Sequence, residues 1–376
     1  MIYLDYAATT PVDKRVLNTF NKVCLEYPGN SNSLHKLGQA SKELEDYTTE
    51  SISKLLNLKS SEIIYTSGAS ESNNHIIKGI ASKYKNRGKH IITTYLEHSS
   101  VLSTLNYLSN QGFIVDYVRI KDDGQVDLEH LKKLLTNDTI LVSICAVDSE
   151  LGLVQPIEEI ASIIKEYPKC FFHSDYTQAL GKIDIDFNIP DFISVSAHKI
   201  YGLKGIGMII KKKNIIIDNL IHGGKSTTTY RSGTPALPLI VSTMKALTLI
   251  LPHIKENTKY IEKLNISILN FLKAYPDISI NSTTNSIPNT INISLANIKP
   301  ETFVHALDEY DIFISTKSAC SSTNSMSDSV YAVTKDRDKA MHSIRISLSH
   351  LTTEEEITKF KQAFANCYQQ LNIKGQ

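Results

Sequence analysis

Apolar positions along this chain fall into two alternating textures. Short, nearly continuous apolar runs recur at "EIIYTS" (62–67), "KHIITT" (89–94), "FIVDYVRI" (113–120), "TILVSICAV" (139–147), "KCFFHSD" (169–175), "FISVSA" (192–197) and "GMIIKK" (207–212). They read as strands. Between several of them lie amphipathic stretches of helical length, such as "SNNHIIKGIASKYKNRG" (72–88) and "IEEIASIIKEYP" (157–168). Strand–helix alternation of this kind predicts a mostly parallel sheet covered on both faces. A long helix is expected over "TPALPLIVSTMKALTLI" (234–250), and after it the texture changes. "DISINS", "NTINISLA" and "FIST" read as short strands. A last helix opens at "TTEEEITKFKQAF", where early acids suit the N-terminal dipole. The expected division is a large α/β domain over 14–250 and a smaller α+β domain over 251–376. Residues 1–13 are too short to fold alone and are assigned to the smaller unit.

Composition narrows the class. The 376 residues are 41% apolar and 21% charged with a formal net charge of +1. Bulk charge therefore makes no case for nucleic-acid binding. The opening "MIYLDYAATTP" has no apolar stretch of the signal-peptide kind, and no membrane span is expected. Cys24, Cys145, Cys170, Cys320 and Cys367 are scattered, without a C-x-x-C pair. That pattern argues against a disulfide framework or a metal site, and for a reducing, cytoplasmic setting.

Parallel sheets carry their functional residues in the loops after the strands. After "EIIYT" comes "SGASESNN", where Ala69 and Ser70 open a helix whose free N–H groups suit a phosphate; the same residues also make an ordinary helix start. His98 follows "HIITT", and Asp175 ends an apolar strand where a buried acid needs a partner. Ser196, His198 and Lys199 leave another strand together, ahead of a glycine-rich return. The "GIG" of that return precedes a strand and lacks a third glycine, so it is no dinucleotide fingerprint. A lysine, an acid one strand away and a phosphate cradle are the inventory pyridoxal phosphate needs. Cys320 stands apart in "STKSACSS", a small polar stretch with nothing local to bury its sulfur.

These motifs resemble those of the cysteine desulfurases, pyridoxal-phosphate enzymes related to the class V aminotransferases. "YLDYAATTP", "GNSNSLHKLG", "TSGASESNN", "EHSSV", "QPIEEI", "HSDYTQALGK", "SAHKIYGLKGIG", "RSGT", "SAC" and "SIRISLSHLTTEEEI" follow in the family's order nearly end to end. The resemblance implies a fold-type-I pyridoxal-phosphate transferase, with a large mostly parallel sheet domain and a smaller α+β domain. It implies that Lys199 forms the Schiff base, Asp175 pairs with the pyridine nitrogen, Gln178 meets the ring oxygen and His98 stacks on the ring. Ala69, Ser70, Ser196 and His198 would hold the phosphate, with Thr234 reaching the phosphate of a partner subunit in a homodimer. Arg345 would bind the carboxylate of the L-cysteine substrate. Cys320 would be the nucleophile. Arg345 lies twenty-five residues beyond Cys320, as in the branch with the longer cysteine loop.

The chain also departs from the pattern. "VDSELG" puts Asp148 and Ser149 where two Asn are usual, so Ser149 must make the shorter ring contact or leave it to Gln178. "GGKSTTTY" replaces a glycine-rich stretch with an acid, Tyr6 stands for a usual Asn, and Leu203 for a usual Pro. The implied reaction converts L-cysteine to L-alanine with a persulfide on Cys320. A sulfur acceptor would receive it, either an iron–sulfur scaffold or a tRNA-thiolating sulfurtransferase. Two rivals stand beside this reading: a class V aminotransferase or lyase in which Cys320 is incidental, and a weakened desulfurase retained as a binding partner in sulfur transfer.

Overall fold

The computed structural model of the chain describes residues 1–224, 226–316 and 326–374, so Cys320 lies outside the described residues. In chain order the elements are β1 (Ile2–Tyr3), α1 (Lys14–Glu26), α2 (Lys36–Leu55), β2 (Ser61–Thr66), α3 (Ala69–Tyr84), β3 (His90–Thr93), α4 (Ser99–Ser109) and β4 (Ile114–Tyr117). Then come α5 (Leu128–Leu134), β5 (Thr139–Ser143), α6 (Ile157–Ile164), β6 (Phe171–Asp175), β7 (Phe192–Ser196), β8 (Gly207–Lys212), α7 (Leu237–Ile250) and α8 (Ile254–Leu272). The rest are β9 (Ile278–Ile280), β10 (Thr290–Leu295), α9 (Pro300–Asp308), β11 (Ile312–Phe313), α10 (Asp328–Thr334), α11 (Arg337–Met341), β12 (Ser343–Ser347) and α12 (Glu354–Lys374).

Strands β2 to β8 form one sheet in the order β2-β8-β7-β6-β5-β3-β4. All neighbouring pairs from β7 to β4 are parallel, and β8 runs antiparallel to both β7 and β2. Side chains of adjacent residues leave a strand on opposite faces, and this sheet buries both. Ile63, Ile92, Val142 and Ile193 point into one apolar cluster with α5, α6 and α7. Their neighbours Ile64, Ile91, Leu141 and Phe192 point into another with α3 and α4. Burial on both faces is why these strands read as continuous apolar runs.

A further core gathers Leu4, Ile261, Ile268, Ile293, Phe303, Ile346, Phe360 and Phe364 around the antiparallel sheet β12-β10-β9 and helices α8, α9 and α12. The N-terminus joins it through β1, which pairs in parallel with β11. Helices α10 and α11 instead place Val330, Ala332, Val333 and Ala340 on the cluster beneath the large sheet. Strand β12, which the apolar pattern did not single out, pairs along its whole length with β10.

Among the described residues, the helical run Leu237–Leu272 is long and apolar enough to cross a membrane by length and composition, which the expectation of no span had not anticipated. It is α7 and α8 joined through a turn at Leu251–His253. Helix α7 buries Leu237, Ile240, Val241, Leu247 and Ile250 inside the protein, packed with α1 and α2. A core helix needs the same composition as a span.

Candidate active site

A cavity of about 540 Å³ opens at the carboxyl ends of the large sheet, closed on its far side by the N-terminal segment and β12. Ala69, Ser70, His98, Ser149, Asp175, Gln178, Ser196, His198, Lys199 and Arg345 all line it. Thr234 does not. It is exposed, near Arg231, which pairs with Glu71 at 3.0 Å.

The floor is set by β2, β7 and β8. Strand β2 ends at Thr66, and Gly68 opens α3 with no side-chain cap, so the helix's first N–H groups are not occupied by one. Gly207 on β8 makes this turn possible: a Cβ there would stand 2.6 Å from the Gly68 Cα. Glu71 sits in the first turn, where a carboxylate would repel an anion. Burial alone would raise its pKa, but the Arg231 and Ser67 hydrogen bonds prevail and hold it below the usual range.

Lys199 leaves β7 on a single turn of 3-10 helix, and its Nζ donates to the carbonyls of Ala7 at 2.6 Å and Ala8 at 2.8 Å. One strand over, Asp175 ends β6. Its Oδ1 accepts from the Thr177 N–H at 2.9 Å and its Oδ2 from Asn73 Nδ2 at 2.8 Å. The sequence reading did not single out Asn73, whose amide holds this carboxylate. Asn73 also accepts from Ser194 Oγ, which meets His173 Nε2 at 3.1 Å. Burial pushes His173 down to about 4, so this is a neutral, fully buried chain of donors behind the carboxylate.

His98 caps α4. Its Nδ1 accepts from the Ser100 N–H at 3.1 Å, which places the ring hydrogen on Nε2. Burial holds its pKa below the ordinary value, with Lys199 adding to the effect. His198 is pushed further, to about 4, by burial and by Lys199 and Lys204. Gln178 donates from Nε2 to the Ala7 carbonyl at 2.9 Å and accepts at Oε1 from Lys182. The second amide hydrogen remains for a ring oxygen.

Arg345 enters from β12 and is 1% exposed. Its Nη1 donates to the Ser149 carbonyl and its Nη2 to Asp5, each at 2.8 Å, while its buried Nε has no partner. Arg345 lines the cavity, and Nη1 and Nη2 each make one of these bonds, so the guanidinium keeps further N–H donors suited to a carboxylate. Asp5, which orients this fork, was passed over in the sequence because "YLDYAATTP" shows only one acid in an apolar setting.

Three further titratable groups sit at or beneath the cavity wall. Cys145 lines it, but its thiol is held well up by burial and by Glu97, with Sγ 3.6 Å from the Leu96 carbonyl. Glu97 is itself pushed up to about 8 by burial. Asp148 is raised to about 7 by burial and by Glu150. Among the described residues no group of His, Cys, Asp and Glu is placed to hold a metal ion.

The family model for aminotransferase class V matches residues 2–360. The cysteine desulfurase IscS of Buchnera aphidicola is 42% identical over 369 residues, covering 95% of this chain and 90% of the relative. The chain belongs to the cysteine desulfurases of aminotransferase class V. A mitochondrial cysteine desulfurase of Candida albicans is 40% identical, over 96% of this chain and 75% of its own. Among solved structures, a NifS-like protein superposes with a TM-score of 0.90 at 36% identity, covering 99% of both chains. SspA in complex with cysteine gives 0.82 at 32%, over 94% of this chain and all of that one.

Desulfurases of this class depend on pyridoxal phosphate, and the residues present fit it. The uncapped α3 start beside Ser196 suits the phosphate, buried Asp175 suits a protonated ring nitrogen, and Lys199 reaches the same cavity. Of the departures from the family pattern, Ser149 keeps its place on the cavity wall and lends its carbonyl to Arg345.

Proposed function

We propose that this chain takes sulfur from L-cysteine, releases L-alanine and carries the sulfur as a persulfide on Cys320. The observation that carries the reading is that Arg345, from the second core, meets Lys199 and Asp175, from the large sheet, across one cavity. A lysine and an acid alone would suit many pyridoxal-phosphate reactions. The buried arginine lining the same cavity adds a site for an α-carboxylate.

Bound pyridoxal phosphate supplies an electron sink for negative charge at the substrate α-carbon. Asp175 holds the proton on the ring nitrogen, with Asn73 fixing the carboxylate against rotation. Arg345 holds the substrate carboxylate. Lys199 Nζ removes the α-proton, and the Ala7 and Ala8 carbonyls keep the amine at the cavity wall. His98 is neutral with its hydrogen on Nε2 and shuttles the proton at the substrate thiol. The Cys320 thiolate attacks the substrate sulfur; the carbon–sulfur bond breaks, a sulfur–sulfur bond forms, and the carbon is protonated to L-alanine. An ordinary thiol with pKa near ~8.5 is a few per cent thiolate at neutral pH, enough for such a nucleophile. Cys145, buried and held as the thiol, is no substitute.

Exposed Thr234 suits contact with the phosphate of a second copy in a homodimer. The scattered cysteines support a cytoplasmic setting, and the twenty-five-residue spacing to Arg345 supports the branch with the longer cysteine loop. An iron–sulfur scaffold or a tRNA-thiolating sulfurtransferase is the proposed sulfur acceptor.

The test is a pair of variants. Cys320→Ser should keep the cofactor absorbance and its change on adding L-cysteine, yet lose sulfide release and persulfide labelling by at least a hundredfold. Lys199→Ala should lose the visible band of lysine-bound cofactor. Full turnover in Cys320→Ser would return the aminotransferase or lyase reading.

A further inference from the structure

The turn at Asp148–Leu151 ties together three parts of the molecule that sulfur transfer must bring together. Asp148 Oδ2 accepts from the N–H groups of Glu150 and Leu151, which shapes the turn. Its Oδ1 accepts from Ser329 Oγ at 3.0 Å. Glu150 Oε2 accepts from Ser327 Oγ, and that same oxygen caps α10 by accepting from the Val330 N–H at 3.1 Å. Between the two acids, the Ser149 carbonyl accepts from Arg345 Nη1. Arg345 in turn exchanges both backbone hydrogen bonds with Ser315, at 2.7 and 3.1 Å. Asp148, Glu150, Ser327, Ser329 and Arg345 are all buried, so water does not compete for these bonds.

Ser315 and Ser327 stand on either side of Cys320 in the sequence. One root is therefore held by the strand that carries the substrate arginine, and the other by two acids flanking that arginine's carbonyl partner. Resting on the desulfurase reading, we propose that Asp148 and Glu150 are positioning residues. By holding Ser329 and Ser327, they set the place from which Cys320 meets the sulfur of a substrate held by Arg345. Bimolecular attack becomes fast when the partners are pre-positioned, and a displacement of about 1 Å can lower such a rate on the order of a hundredfold. Asparagine at 148 preserves the arrangement: its oxygen takes both turn N–H groups, and its amide donates to Ser329 Oγ, which accepts as readily as it donates.

The holoenzyme is mixed with L-cysteine and quenched with an alkylating agent, and persulfide on the Cys320 peptide is read by mass. The absorbance change of the bound cofactor in the same mixing reports arrival of substrate. Asp148→Ala, Glu150→Ala and Ser329→Ala should each slow persulfide formation about tenfold. In Ser329→Ala, which leaves the turn's own bonds intact, the absorbance change should keep its rate and its dependence on cysteine within twofold. The double variant Asp148→Ala/Ser329→Ala should be no more than twofold slower than Asp148→Ala, because the Asp148–Ser329 bond is already lost in the single variant. Asp148→Asn should stay within about threefold of the parent. Parental persulfide rates in Ser329→Ala and Asp148→Ala would overturn the proposal. So would a joint loss of both signals in Ser329→Ala, which removes a single hydroxyl and leaves the turn's own bonds intact. A parent that forms no Cys320 persulfide would instead overturn the desulfurase reading.

Discussion

Glu97 carries its carboxyl beneath the cavity floor. Oε1 accepts from Thr94 Oγ1 and from the Cys145 N–H, both at 2.9 Å, and buried Oε2 has no partner. Burial outweighs those two bonds and pushes the group from its ordinary 4.5 to about 8. The folded protein thus binds this proton more tightly than the unfolded chain. The resulting stability is fully present below pH 4.5 and is lost as pH rises through about 8. The slope approaches ~1.4 kcal/mol per pH unit inside that window. Glu97→Gln should flatten it. Urea midpoints at pH 5.5 and 8.5 check this: the parent should lose more stability between them than the variant does. Equal losses would mean that the carboxyl is not held protonated.

Strand β8 passes close to the start of α3. Gly207 has the Gly68 Cα and the Val195 carbonyl oxygen each 2.6 Å from where a Cβ would stand, and both are backbone. Neither can move like the tip of a flexible side chain. Gly207→Ala should displace the Gly68 turn, weaken pyridoxal phosphate binding at least tenfold and reduce stability by about 1–3 kcal/mol. Cofactor titration by fluorescence together with urea unfolding would show it. Parental affinity in this variant would mean that β8 yields without moving the cradle. The antiparallel β8 has a second consequence for the site. It forces the chain to reverse after β7, and Lys199 sits on the turn that begins the reversal.

At the scale of the molecule, the site lies where two cores meet. Lys199 and Asp175 come from the large sheet, and Arg345 comes from β12 in the second core. Phe364 is central to that second core, with the rings of Phe303 at 4.9 Å and Phe360 and Phe271 at 5.7 Å. Phe364→Ala should cost about 3–5 kcal/mol. Its effect should fall first on substrate: in intermediate urea, the response to L-cysteine should vanish while the cofactor band persists. Simultaneous loss of both signals would show the cores unfolding as one unit.

Much of this was legible because local pattern and global burial agree. Strands buried on both faces are apolar at most positions, so such runs marked the inner strands of the large sheet, while β4 at its edge is only partly buried, with Ile114 exposed. Lys199, Asp175, His98 and Arg345 follow strand ends or sit in motifs, and adjacency along the chain already places them. Boundaries moved where local chemistry intervened. Helix α3 starts at Ala69, three residues before the apolar pattern, because the cradle residues form its first turn. Helix α7 waits until Leu237, with Pro238 in its first turn. Other features had no local signature. Strand β12 is a strand because β10 is there to pair with it. Asn73 is 102 residues from Asp175, and Asp5 is 340 from Arg345. Glu97 and Asp148 become strong proton holders only through burial by distant segments. Apolar periodicity is written residue by residue, whereas the partner of a polar group is chosen by the fold that surrounds it.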